Sequence, residues 1–140
     1  MQIFPEAVAA TVTTKTAAAT SATALTTGDS GKLILMAPNA AAITLPVATA
    51  GVNYNIVQTG DYATAVCTIT QAASGHDFFG VIVSGEMDSG SVTDIPVAAN
   101  TKIQFGSGAK KGDRAELISD GSGWFVRAYC RLAAGITFET

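Results

Sequence analysis

Arg114-Ala115-Glu116-Leu117-Ile118-Ser119 leads through Asp120-Gly121-Ser122-Gly123 into Trp124-Phe125-Val126-Arg127-Ala128-Tyr129-Cys130-Arg131-Leu132. Two alternating runs flank a cluster of turn residues, the pattern of a β-hairpin. In the second run, Trp124, Val126, Ala128, Cys130 and Leu132 share one side of the pleat and are expected in the core. Phe125, Arg127, Tyr129 and Arg131 fall on the other side. Aromatic residues interleaved with arginine are the types enriched at protein interfaces, so these four are candidate interface residues. Exposed arginine stems lying over aromatic rings would give the same pattern on a solvated face.

Working outward, period-2 alternation and turn residues recur along the chain. Lys32–Met36 and Phe78–Ser84 are continuous apolar runs that read as strands covered on both faces. Ile43–Leu45, Tyr54–Gln58, Val66–Gln71, Thr101–Phe105 and Ile136–Phe138 read as shorter strands separated by Gly, Asn, Asp or Pro. About eight or nine short strands and no sustained helical periodicity indicate an all-β antiparallel sandwich or barrel. Residues 1–24 carry few turn residues and are expected to be an extended N-terminal arm, with residues 25–140 a single β domain. Ile3, Phe4, Val8 and Val12 are the side chains such an arm would bury on a neighbour.

With 140 residues, the chain is long enough for one domain with its own core. Only 14% of residues are charged, and mean hydropathy is +0.34, a composition that excludes a disordered chain. No uninterrupted run of about 18 apolar residues suggests a membrane span. A net charge of −3 argues against nucleic acid as a partner. The N-terminus lacks the basic start and apolar core of a secretory signal, consistent with a protein made and used without export.

The charges are segregated. Leu33 to Gly60 carries none, Asp61 to Asp94 carries only acids, and Lys102 to Arg131 is mainly basic. Such long uncharged stretches suggest surface covered by other subunits. Lys110, Lys111 and Arg114 are candidates for electrostatic docking on an acidic protein surface. Cys67 and Cys130 fit no metal or redox spacing and are expected as buried thiols, although the sequence leaves a bridge between them open.

Catalytic patterns find little support. The sole histidine, His76, lies in a turn-like Gly75-His76-Asp77 without a nucleophile elbow. Asp77, Glu86, Asp88 and Asp94 match no calcium-loop spacing, and they lack the aromatic platform of a glycosidase. Gly106–Gly112 lacks the Gly-Lys-Ser/Thr ending of a phosphate loop and joins two strands. The chain is therefore expected not to be an enzyme, and no catalytic residue, metal ligand or cofactor is assigned.

Two stretches carry a resemblance. One runs from Ala24-Leu25-Thr26-Thr27-Gly28-Asp29-Ser30-Gly31-Lys32 through Thr44-Leu45-Pro46 to Ala50-Gly51 and Tyr54-Asn55-Ile56-Val57. The other is Gly112-Asp113 followed by Leu117-Ile118-Ser119-Asp120-Gly121 and Trp124-Phe125-Val126. Together they resemble tailed-bacteriophage structural proteins, in particular small head-decoration (capsid cement) proteins. The resemblance implies a jelly-roll or β-tulip-like fold. It also implies a homotrimer on the exterior of the virion capsid, made in the host cytoplasm and bridging major capsid protein subunits of the expanded head. Similar motifs occur in phage fibre and tail domains. The alternative is therefore a tail-fibre, spike or head-fibre domain that binds a host receptor or glycan.

Overall fold

The structure, a computed structural model, describes residues 13–85, the backbone of 93–94, and residues 100–140. Two sheets pack face to face as an all-β sandwich. The first six strands are β1 (Thr14–Ala17), β2 (Ala22–Ala24), β3 (Leu33–Met36), β4 (Ala42–Thr44), β5 (Asn53–Gln58) and β6 (Cys67–Thr70). They are followed by β7 (Phe78–Ser84), β8 (Thr93–Asp94), β9 (Lys102–Phe105), β10 (Arg114–Ser119), β11 (Trp124–Cys130) and β12 (Ile136–Glu139). One sheet has the order β1-β3-β5-β10-β11-β7-β8, and the other β12-β9-β6-β4-β2.

The sheets are mixed, which differs from the antiparallel arrangement expected. β1, β3 and β5 run parallel in one sheet, as do β2, β4 and β6 in the other. The chain alternates between sheets, so each strand is the crossover that returns it parallel to the strand before. In-register partners Thr14, Leu33 and Asn55 recur about every 20 residues, a spacing typical of solenoid windings. From β9 onward, antiparallel pairing dominates: β9 with β6 and β12, and β10 with β5 and β11. β7 joins β11 in parallel.

Part of the expected arm belongs to the sandwich. β1 and β2 form an outermost strand of each sheet, at the same end of the two stacks. Lys15 on β1 reaches back to the 3-10 turn Thr27–Asp29. Its Nζ donates to Asp29 Oδ2 at 2.6 Å, while Lys32 Nζ donates to Asp29 Oδ1 at 2.7 Å. The Thr26 backbone N–H also donates to this buried carboxylate, capping the turn. Hydrogen bonds from the two ammonium groups outweigh burial and hold the Asp29 carboxyl far below the usual carboxylate range.

The core lies between the sheets. Trp124, Tyr54, Phe78 and Phe105 are its largest members, packed with Ile34, Ile43, Ile56, Ile69 and Ile103. Trp124 and Tyr54 meet at a ring separation of 5.7 Å, and the Tyr54 hydroxyl donates to Thr26 O at 2.7 Å. Burial, with a smaller contribution from the Asp29 charge, pushes the Tyr54 pKa up to about 12. Val126, Ala128 and Cys130 are buried beside Trp124 as the alternation predicts, whereas Leu132, just beyond β11, is half-buried. Cys67 and Cys130 are two buried thiols, not a disulfide.

Candidate interaction face

The two outer faces of the sandwich differ in chemistry. On the five-stranded sheet, Thr44, Thr68, Thr70, Gln104 and Thr137 point outward with Lys102 and Glu139, which form an ion pair at 2.7 Å. That is an ordinary solvated β surface. The seven-stranded sheet instead presents apolar and aromatic side chains in register across several strands.

Its rows follow from the pairing. Asn53, Ile118, Phe125 and Phe79 form one row across β5, β10, β11 and β7. Asn55, Glu116, Arg127 and Val81 form the next, and Val57, Arg114, Tyr129 and Val83 a third. Ile118 is 52% exposed, Phe125 48% and Val83 38%, large apolar side chains with solvent on one side. Phe79 and Phe125 lie 6.4 Å apart between ring centroids. Their neighbours enclose a shallow groove of about 590 Å³ floored by Gly80, Leu117 and Val126.

Gly80 is where the sequence bends to this geometry. Its φ is +151°, and a Cβ there would stand 1.8 Å from the Val126 carbonyl oxygen. Only glycine lets β7 approach β11 so closely at that level.

The basic candidates lie at the far end of the same face. Arg114 opens β10, and its guanidinium carbon sits 4.9 Å from the Tyr129 ring centroid on β11. Lys110 and Lys111 precede it in the turn, and Arg131 follows β11. Asp113, buried, ties these segments together: its carboxylate accepts from the Arg131 backbone N–H at 3.0 Å and from the Lys110 N–H at 2.9 Å. Asp61 accepts from the Lys111 N–H at 2.9 Å and stands 3.8 Å from Lys110 Nζ. That backbone hydrogen bond, with the charges of Lys110 and Arg131, lowers the Asp61 pKa. Lys111, Arg114, Tyr129 and Arg131 line a second depression of about 380 Å³.

Two candidate sets expected separately are thus one continuous surface. Phe125, Arg127 and Arg131 are exposed and Tyr129 is half-buried, all on the outward side of the β11 line. Ile3, Phe4, Val8 and Val12 lie outside the described residues. Ile118, Phe79, Val81 and Val83 are interface candidates that sequence reasoning missed. Phe78–Ser84 was expected to be covered on both faces, yet only Phe78 and Ile82 are buried. An uninterrupted apolar run does not say which of its sides a second layer covers; Ile118, beside Phe125 in the hairpin register, was the available signal.

Other chemistry-bearing residues stay dispersed. Among the described residues, no three His, Cys, Asp or Glu side chains gather as metal ligands. Asp120 accepts from the backbone N–H groups of Ser122 and Gly123 and serves the hairpin turn. No described helix is long and apolar enough to cross a membrane.

Comparison with known proteins finds no similar family model, curated protein or solved structure.

Proposed function

We propose that the protein is a structural component of a virion: a homotrimeric decoration, or cement, protein. It sits on the outside of the expanded head and bridges major capsid protein subunits. The observation that carries this reading is the contrast between the two outer faces. One is a polar threonine surface, and the other holds exposed Ile118, Phe125 and Val83 on the same outward side as Arg114, Arg127 and Tyr129. A contiguous apolar patch edged by arginine marks an interaction surface, since burial of aromatic and arginine anchors dominates binding energy. The resemblance to head-decoration proteins supplies the identity of the shell as partner.

The mechanism is attachment. A protein that binds the assembled shell and not its separated subunits stabilises the shell by mass action. Several contacts per trimer turn a modest affinity at each subunit into durable attachment through effective concentration. The hydrophobic groove contributes affinity, while the arginines fix orientation and speed encounter.

Cosedimentation with expanded and unexpanded heads, followed by thermal release of packaged DNA, tests the proposal. Saturable binding to expanded heads and release at a higher temperature are expected. Equal stability of coated and bare heads, with binding to whole host cells instead, would overturn it in favour of a fibre or receptor-binding role.

A further inference from the structure

The groove and the basic depression lie on one face and follow one another along β11. Phe125 and Arg131 are separated by six positions, roughly 20 Å of strand. The apolar end is formed by Phe79, Ile118 and Phe125, and the opposite end by Lys111, Arg114 and Arg131. The chain as a whole carries a net charge of −3, so a basic end is a local departure from its overall sign. Two acids face this end, Asp61 beside Lys110 and Glu116 at 3.6 Å from Arg114. Asp113 is buried, its oxygens occupied by backbone N–H groups. Among the described residues, the side chains of Lys111, Arg127 and Arg131 form no ion pair within 4.0 Å.

We propose that this face receives an extended acidic segment of a partner protein, which seats apolar side chains in the Phe79–Ile118–Phe125 groove and sets carboxylates against Lys111, Arg114 and Arg131. The inference deepens the attachment reading and rests on this face being the one that attaches. Charge complementarity selects an acidic occupant, and the apolar half excludes a uniform polyanion. A nucleic acid would lay phosphates over Ile118 and Phe125 and pay their desolvation without a partner. An extended chain fits because the two depressions succeed one another along β11 and β7, and alternate side chains of a segment laid along that line would face the sheet. Arginine and lysine at one end and aromatic rings at the other also fix its direction.

Fluorescence anisotropy with three labelled ten-residue peptides tests this. The first has two phenylalanines near one end and three glutamates near the other. The second replaces the glutamates with lysine, and the third replaces the phenylalanines with serine. Saturable binding of the first alone, with a Kd below about 1 mM, is expected. Lys111→Glu with Arg131→Glu, and separately Phe125→Ser, should each weaken it at least about fivefold. Gln104→Glu on the opposite outer face should leave it unchanged, and circular dichroism would confirm that every variant is folded. Equal binding of all three peptides, no binding of the first, or indifference to the charge reversal would overturn the proposal. Binding of a second copy of the chain in place of the peptide would do the same. Wild-type protein that coats heads yet ignores the first peptide removes the segment and leaves the attachment reading standing. Peptide binding without head binding removes the attachment reading alone.

Discussion

Arg114 stands directly opposite Tyr129 in the β10–β11 register, with its guanidinium 4.9 Å from the ring centroid. The contact joins the basic loop to the aromatic face and leaves the ring only half-buried. An arginine held over a ring keeps the terminal nitrogens of its planar fork available for a further carboxylate, its Nε standing 3.6 Å from Glu116 Oε1. The face is therefore organised before any partner arrives, which lowers the ordering cost of binding.

That organisation can be separated from folding. Ile118→Ser combined with Phe125→Ser removes exposed apolar surface while leaving the core intact. Stability by urea denaturation should change by less than about 1 kcal/mol, while head binding weakens at least about tenfold. Retention of full binding would exclude the groove from attachment.

Gly80→Ala should have the opposite profile. The added Cβ would collide with the Val126 carbonyl, and the positive φ disfavours any side chain. The expected cost is about 3 kcal/mol or more, with the unfolding midpoint falling accordingly. A midpoint within error of wild type would mean that β7 shifts freely against β11.

The Asp29 clasp makes stability depend on acid. Its carboxyl is depressed in the folded protein relative to an ordinary value of 3.8, so the unfolded chain takes up the proton first as pH falls. The contribution is complete above about pH 5 and disappears progressively through the acid range below about pH 4. Asp29→Ala should cost about 2–4 kcal/mol at neutral pH, because Lys15 and Lys32 lose their shared counter-charge. It should also flatten the acid limb of a stability–pH curve measured by urea titration; an unchanged limb would assign that limb to other carboxyls.

Tyr54→Phe keeps the ring packing against Trp124 and deletes the hydroxyl that donates to Thr26 O. A loss of about 1 kcal/mol is expected, somewhat more if the carbonyl is left dry. Spectrophotometric titration of the wild type should find one tyrosine ionising near pH 12, and the substitution should remove that step.

Much of the strand content was legible. The limits expected for Phe78–Ser84 and Arg114–Ser119 match the structure, and inward-facing Trp124, Val126 and Ala128 could be read from alternation. The hairpin between Ser119 and Trp124 was legible too, since Asp120 and Gly121 encode the turn within a few residues. The role of residues 14–24 was hidden because alanine and threonine favour no single structure. Only pairing with β3 and β4 makes strands of them.

The amino-acid sequence by itself determined most of the strands from β3 onward and which side of β11 enters the core. Both follow from side-chain alternation and from turn residues whose effects are local. Tertiary structure alone decided that the first six strands wind in parallel between two sheets. It also decided that one outer face carries an exposed apolar patch, and that the basic loop joins that face through Asp113. Strand direction, register and layer coverage depend on hydrogen bonds and packing between residues distant along the chain, where a two-residue period is the same for every possible neighbour.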